Sequence, residues 1–572
     1  MTRRLPLFML LFAVLAVWPS LLQVTRVLAS SQPDVKIEFR TSDRCVACHN
    51  GLKTRSGEDI SIGFQWRPGM MANSARDPYW QGSVRRESID HPESQAAIED
   101  ECSTCHMPIA HLINKSEGRK TEVFANLPPA ATGKLRREAA DGVSCSVCHQ
   151  IEAAGLGTPE TFNGNVAVAT PKDNNHRLEY GPFVIDAGHQ RLMQSSTGGF
   201  VPTASAHIRD SALCGSCHTL FTKALGPGGR EIGSLPEQVP YLEWLHSAYA
   251  ASNQSCQSCH MPQVMEAVRV TALFGQPREG MHRHEFVGGN FLMERILNAH
   301  RDELGVQALP AELSAAAERA IEFLQKQSAR VTIGAAQIAG SELTFPVHVE
   351  NLTGHKLPTA YPSRRAWLHV VVTAADHRVV FESGKLNPDG SIAGNANDAD
   401  PTRYSPHFTR ITTADQVQIF EPILGDSQGR VTTGLLTATQ YLKDNRILPA
   451  GFDKTTAPRD IAVMGKAAAD PDFTAGSSTT HYAISTNGAA GPFRITAELL
   501  YQPVGFRWAH NLASYPAAEP KRFVGYYESE ASHSAVVLAR AEATSEGRAL
   551  SVGSDRTGSP TALDSLRVIT SK

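Results

Sequence analysis

The chain has 572 residues, of which 41% are hydrophobic, so it is long and apolar enough to bury more than one core. Its formal net charge is −3, from 54 basic and 57 acidic side chains, with no basic arm and no acidic tail. A nucleic-acid partner would require a strongly basic surface, and this balance gives no reason to expect one.

The N-terminus has the layout of a secretory signal peptide. Two arginines precede an apolar run over residues 5–24, and Val27-Leu28-Ala29 provides small residues for cleavage before Ser30. We therefore predict a signal peptide over residues 1–29 and a mature chain that is periplasmic or extracellular. An uncleaved membrane anchor is the alternative, because about 20 apolar residues can span a bilayer. Contact with a membrane is expected only in that case.

All ten cysteines belong to five copies of the pattern Cys-x-x-Cys-His. Numbered 1 to 5 in chain order, these motifs are Cys45-Cys48-His49, Cys102-Cys105-His106, Cys145-Cys148-His149, Cys214-Cys217-His218 and Cys256-Cys259-His260. Cysteines three residues apart lie on one face of a helical turn. Both thiols can therefore bond the vinyl groups of one haem while the histidine binds the iron. The sequence predicts five covalently attached haems c, held by these cysteines, with these histidines as proximal ligands.

Three other interpretations of the motifs are weaker. Structural disulfides suit an exported protein, but they do not require a histidine after every second cysteine. Thioredoxin-like redox pairs need a βαβ setting around each pair. Zinc sites usually combine two such pairs, and five pairs would leave one over.

The distribution of the motifs predicts an α+β multidomain protein. Residues 31–305 form a pentahaem cytochrome c domain of short helices and loops, and residues 306–330 form a linker with a helix over 310–328. Residues 331–572 form a C-terminal antiparallel β-sandwich, because β-rich runs at 343–350, 366–373, 378–382 and 493–501 alternate with turn-forming residues. Asp376-His377 is expected to close a tight hairpin, and residues 385–415 and 440–480 are expected to be extended loops.

The second axial ligand of each iron decides between an electron carrier and an enzyme, because an empty face allows a substrate to bind. The chain has more histidines than five irons need, 22 in all, so their number alone identifies no ligand. From their local sequence we predict distal ligands at His111, His207, His284 and His355, with Met71 as a sulfur ligand. Arg76 and Asp77 are candidates for pairing with a haem propionate or with each other, and Arg364 and Arg365 are candidates for neutralising propionates.

The motifs together resemble a known family. The two Cys-His-Met-Pro turns at 105–108 and 259–262, the segment Met70-Met71-Ala-Asn-Ser-Ala-Arg-Asp-Pro78, and Asn351-Leu-Thr-Gly-His-Lys-Leu-Pro-Thr359 look like those of bacterial multihaem cytochromes. These cytochromes are related to the tetrahaem cytochrome of ammonia oxidisers and, more distantly, to hydroxylamine oxidoreductase. The resemblance covers nearly the whole mature chain. It implies closely packed haems, mostly with two histidine ligands, and supports His207, His284 and His355 as distal ligands.

The leading functional prediction is electron transfer through closely packed haems, between redox partner proteins or from a quinol-linked donor. An alternative is an oxidoreductase that acts on a small nitrogen or sulfur compound at one open haem. The chain differs from the enzymes among these cytochromes in two ways. It has no Cys-x-x-Cys-Lys motif, which marks the active haem of the pentahaem nitrite reductases, and it has fewer haem motifs than hydroxylamine oxidoreductase. A further alternative is a haem-bearing component of an extracellular respiratory assembly.

Overall fold

The computed structural model describes residues 38–128, 131–169 and 176–545, so the signal peptide predicted over residues 1–29 lies outside them. Within these ranges no helix is both long and apolar enough to cross a bilayer. The described chain mixes many short helices with several small sheets, in agreement with the α+β class expected from the sequence.

The first half of the chain is mainly helical. Its helices are α1 (Asp43–Val46), α2 (Ile62–Trp66), α3 (Pro78–Asp90), α4 (Gln95–His106), α5 (Pro108–Ser116), α6 (Val123–Asn126), α7 (Arg136–Ala140), α8 (Cys145–Cys148), α9 (Ala187–Thr197), α10 (Ser211–Gly215), α11 (Pro240–Leu245), α12 (Ala248–Ala251), α13 (Cys256–His260) and α14 (Phe291–Ala299). Most are too short to be stable alone and depend on tertiary packing.

This half also contains two small sheets that the sequence interpretation of helices and loops missed. Strands β1 (Arg177–Gly181) and β2 (Phe200–Ala204) pair in parallel across α9. Strands β3 (Leu220–Leu225) and β4 (Glu231–Gln238) form an antiparallel hairpin. The parallel pair needs a crossover connection, which α9 supplies.

Helix α15 (Pro310–Gln327) confirms the helix predicted over 310–328. Its apolar face, which includes Leu313, Ala320 and Leu324, is buried in the largest hydrophobic core together with Phe291 and Ile296 of α14. The apolar face of the helix is therefore packed into the largest core.

The second half of the chain is built mainly of strands. They are β5 (Ala329–Ile333), β6 (Gln337–Ala339), β7 (Glu342–Asn351), β8 (Arg365–Thr373), β9 (Val379–Ser383), β10 (Arg410–Ile411), β11 (Ile419–Phe420), β12 (Pro422–Asp426), β13 (Val431–Thr432), β14 (Ala438–Asp444), β15 (Phe473–Thr474), β16 (Ser477–Ser485), β17 (Arg494–Gln502) and β18 (Val536–Thr544). Three helices accompany them: α16 (Ala396–Ala399), α17 (Phe506–His510) and α18 (Ala518–Glu530).

Two of the sheets share one hydrophobic core. One has the order β10-β16-β7-β5 and the other the order β11-β8-β17-β18. Strand β7 shows why they pack: every second side chain, from Leu343 to Val349, is buried, as expected for a strand with one face on a core. All pairs in these two sheets are antiparallel except β10 with β16, which is parallel.

The four strands predicted from sequence correspond to β7, β8, β9 and β17 to within one residue, and the β8–β9 turn at Asp376-His377 is confirmed. Strands β16 and β18, of nine residues each, were missed. The long loop expected over 440–480 is wrong in part, because β14 runs to Asp444 and pairs with β12, and β15 and β16 begin before residue 480. Helix α18 was also missed. It packs against α3 of the first half, where Arg85 forms an ion pair with Glu519 at 2.9 Å.

Candidate functional site

A single cavity of 1530 Å³ runs between the five motifs. Its wall contains all five motif histidines and nine of the ten motif cysteines, Cys48 being the exception. Each motif lies on a short helix or helical turn, so the two cysteines and the histidine of a motif face the same space. The chain therefore brings together five sites, far apart in sequence, around one continuous volume.

Four of the five motif histidines are oriented by a hydrogen bond from Nδ1 to a backbone carbonyl. The acceptors are Val270 O at 2.6 Å from His49, Ser74 O at 2.9 Å from His106, Tyr180 O at 2.5 Å from His149 and Val287 O at 2.6 Å from His260. Such a bond fixes the tautomer and leaves Nε2 as the free lone pair. The ring of His106 is further held by Trp80, whose ring centre stacks 4.3 Å away with 3° between the planes.

Burial keeps these imidazoles neutral. It lowers the pKa of His106 and of His218 to about 4, and it lowers the pKa of His49, His149 and His260 as well. A neutral imidazole is the form that binds a metal.

Two distal candidates lie opposite motif histidines. The ring centres of His149 and His284 are 6.5 Å apart with 16° between the planes, and those of His260 and His355 are 6.3 Å apart with 13° between the planes. Two imidazoles bound through Nε2 to opposite faces of one metal, with bonds of about 2 Å, place their ring centres roughly 6 Å apart. The spacing therefore fits one iron between the rings of each pair.

Both distal rings follow the same hydrogen-bonding rule as the proximal ones. His284 Nδ1 donates to His282 O at 3.0 Å, and His355 Nδ1 donates to Lys356 O at 3.0 Å. Burial lowers the pKa of His284 to about 3 and that of His355 to about 4. Each pair thus presents two neutral rings with free Nε2 atoms.

His282 also lies on the cavity wall, and the sequence prediction did not include it. Its Nδ1 donates to Met261 O at 2.6 Å, and in the described part of the chain its Nε2 makes no hydrogen bond. The sequence Met281-His-Arg-His284 could have identified it, because side chains two residues apart in an extended segment point the same way.

The structure does not bring His111 and His207 to the cavity wall. His111 lies on α5 with Nδ1 3.2 Å from Ser103 Oγ, and burial lowers its pKa. His207 has Nε2 2.8 Å from Ile151 O and Nδ1 2.6 Å from Ser205 Oγ, so both of its ring nitrogens have partners. Met71 does line the cavity. The ligand roles of these three residues stay predictions.

Two of the four propionate candidates, Asp77 and Arg364, line the cavity. Arg364 lowers the pKa of His218 and of His260, after the larger effect of burial. Arg365 instead forms a buried ion pair with Asp398 at 2.8 Å. Arg76 donates to three backbone carbonyls, and Asp77 caps the N-terminus of α3.

Cysteines of different motifs touch each other. The thiols of Cys45 and Cys145, of Cys105 and Cys217, and of Cys214 and Cys256 lie close enough for each to shift the pKa of the other. These contacts connect motif 1 with motif 3, motif 2 with motif 4, and motif 4 with motif 5. Cys148 of motif 3 in turn lies close enough to Cys217 of motif 4 for its pKa to be raised, mainly by burial and secondarily by that neighbour.

These contacts do not favour the disulfide interpretation. All ten thiols are free, and three disulfides between the touching pairs would leave Cys48, Cys102, Cys148 and Cys259 without a partner. Paired thiols, neutral imidazoles with free Nε2 atoms and a shared cavity instead fit haem c at each motif. When bound, haem would supply an iron that cycles between the ferric and ferrous states.

Comparisons with known proteins add little to this picture. No protein-family model matches the chain, and no curated protein sequence is significantly similar to it. A solved structure described as a penta-heme cytochrome c552 from Thermochromatium tepidum aligns with 90% of this chain and 100% of its own, at 16% identity and a TM-score of 0.47. That likeness is too distant to carry an argument. The comparisons give no support for a specific relation to the cytochromes of ammonia oxidisers or to hydroxylamine oxidoreductase.

Proposed function

We propose that this chain is an exported pentahaem c-type cytochrome that transfers electrons between redox partners. The observation that carries the proposal is the convergence of five Cys-x-x-Cys-His motifs on one cavity, with cysteines of different motifs in contact. Each cysteine would be bonded to the edge of its porphyrin. Contact between cysteines of two motifs therefore brings two porphyrin edges side by side, which suits rapid electron hopping.

The pattern of neighbouring cysteines also supports an order for the haems. Motifs 1, 3 and 4 form a continuous line through Cys45–Cys145 and Cys148–Cys217, and motif 4 connects to motifs 2 and 5 through its two cysteines. Motif 4 would then be the junction of a branched route, and motifs 1, 2 and 5 would be its ends. Electrons would enter and leave at these ends, from a redox protein or a quinol-linked donor in the periplasm or outside the cell.

The chain itself contributes the ligands and their surroundings. His149 with His284, and His260 with His355, would hold two irons between pairs of neutral imidazoles. Two histidine ligands give a low-potential haem, whereas a methionine such as Met71 would raise the potential. Burial and the hydrogen bonds at Nδ1 are the other means by which the protein sets each potential.

The first test is to produce the protein in a host that matures c-type cytochromes. The intact mass and the pyridine haemochrome spectrum should show five haems per chain. Ferric EPR, together with optical spectra of the reduced protein with and without carbon monoxide, should show low-spin haem at motifs 3 and 5. A protein without covalent haem, or with three disulfides, would overturn the proposal.

One observation favours a second candidate, an oxidoreductase with an open haem. Besides the motif histidines, the cavity wall in the described ranges contains only three histidines, His282, His284 and His355. Five irons would need five distal ligands, so at least two sites have no distal histidine on that wall. A high-spin haem that binds carbon monoxide, and then nitrite or hydroxylamine, would support this candidate; five low-spin haems that ignore carbon monoxide would exclude it.

A further inference from the structure

A ring of four buried charges lies directly behind His355. Glu243 comes from α11 in the haem-bearing half, whereas Lys356, Asp444 and Arg446 come from the strand-rich half. Arg446 Nη1 lies 2.9 Å from Glu243 Oε1, Arg446 Nη2 lies 2.7 Å from Asp444 Oδ2, and Lys356 Nζ lies 2.6 Å from the same Asp444 oxygen. All four side chains are at most 5% exposed.

The ring closes on the backbone of the loop that carries His355. Glu243 Oε2 accepts a hydrogen bond from Lys356 N at 3.1 Å and another from Thr359 Oγ1 at 2.5 Å. Glu243 thus holds the loop on both sides of the Leu357-Pro358 step, immediately after the histidine. The two positive and two negative charges neutralise one another, so the loss of any one member leaves a buried charge without a partner.

Other contacts hold the loop from its opposite side. Tyr249 OH donates to Leu352 O at 2.5 Å, and Asn351 Nδ2 donates to His355 O at 2.8 Å. Gly354 packs against the rings of Trp244 and Tyr249, where an added Cβ would lie 3.3 Å from both. The loop between β7 and β8 is therefore clamped onto α11 and α12 of the haem-bearing half.

None of the four charged residues lines the cavity, so none of them can bind haem itself. They contact the loop and one another, and Lys356 Nζ also donates to Ala462 O at 3.3 Å. Removing one partner from a buried ion pair leaves an uncompensated charge, which is strongly destabilising. Movement of the loop away from α11 would expose such a charge to water and so relieve it.

We propose that Glu243, Lys356, Asp444 and Arg446 are positioning residues that hold His355 against the iron bound by His260, so that the strand-rich half controls the coordination of that haem. This rests on the proposed function, because it requires a haem at motif 5. Loss of the ring would move His355 away and leave that iron with one protein ligand, while the haem stays attached through Cys256 and Cys259.

The test compares haem-loaded variants by ferric EPR and by carbon monoxide binding to the reduced protein. Glu243→Gln and Lys356→Met should each convert one haem per chain from low spin to high spin, and that haem should bind carbon monoxide. His355→Ala sets the size of the full effect. Thr359→Val is a milder change that removes one hydrogen bond to Glu243. It should convert part of that haem from low spin to high spin, even if the charge variants cannot be obtained as folded protein.

Asp398→Asn is the matched control, because Arg365 and Asp398 form a buried ion pair of similar exposure, at 4% and 3%, that does not line the cavity. It should lower the thermal stability and leave every haem as in the unchanged protein. If the Glu243, Lys356 and Thr359 variants lose stability with unchanged spin states, the positioning role is wrong. If His355→Ala itself changes no haem, or the unchanged protein lacks five haems, the ligand assignment or the proposed function has failed instead.

Discussion

The nearly parallel imidazole rings make a prediction about electronic structure that can be checked at once. The angle between ligand planes is 16° for His149 and His284 and 13° for His260 and His355. Low-spin ferric haem with parallel imidazole planes gives a rhombic EPR spectrum, whereas perpendicular planes give a highly anisotropic one with a single large g value. We expect rhombic signals from the haems of motifs 3 and 5.

Single substitutions then assign each signal. His284→Ala should remove one rhombic signal and create one high-spin haem per chain, and His355→Ala should do the same for the other. The two ring pairs, with centres 6.5 Å and 6.3 Å apart, share no residue. The two losses should therefore be independent. The double variant should therefore bind two more molecules of carbon monoxide per chain than the unchanged protein.

His246 provides a matched control. It is an exposed histidine in the first half of the chain, and its Nδ1 also donates to a backbone carbonyl, Leu242 O, at 2.8 Å. It does not line the cavity, so His246→Ala should leave all signals in place. The reasoning is refuted if either distal variant keeps both rhombic signals, or if the signals of motifs 3 and 5 are highly anisotropic in the unchanged protein.

Three further predictions concern the cavity wall. Trp80→Ala should destabilise the fold by about 3–5 kcal/mol, as measured by chemical denaturation, because it removes a large buried ring that stacks on His106. Burial raises the pKa of Glu237, near Cys102, to about 7, so its ionisation between pH 6 and 8 should lower the potential of the motif 2 haem. Spectroelectrochemistry should show a slope of up to about 59 mV per pH unit, which Glu237→Gln abolishes. Burial also raises the pKa of Glu294 to about 8, so the folded state keeps a proton that the unfolded chain loses, and stability falls as pH rises from about 4.5 to about 8. Glu294→Gln should therefore gain roughly 1–3 kcal/mol over the unchanged protein at pH 8, with little gain at pH 4.

The motifs proposed to attach haem can be recognised from sequence because their chemistry is local. Two thiols and an imidazole must lie within one helical turn, and five residues of sequence specify that arrangement. Some strands were equally accessible, since β7 alternates buried and half-buried side chains along its length. In β14 the pattern is less regular, with four consecutive half-buried residues, and the strand was read as part of a loop.

The distal ligands were harder to predict because each belongs to a different part of the chain from its proximal partner. His284 and His355 could be proposed from local sequence, but nothing local shows that they face His149 and His260. His282 was passed over although it lies two residues from His284. The charge ring behind His355 was invisible for the same reason, because Glu243, Lys356, Asp444 and Arg446 look like ordinary surface charges until the fold brings them together.

The contacts between cysteines of different motifs have a consequence for how the protein must be made. In an oxidising compartment, free thiols that are held together by a finished fold are ready substrates for disulfide formation. Cys45 with Cys145, and the two other touching pairs, would be trapped in this way if the chain folded first. If the proposed function is correct, biogenesis runs in one order: the cysteines are kept reduced and joined to haem while the chain is still open, and folding follows.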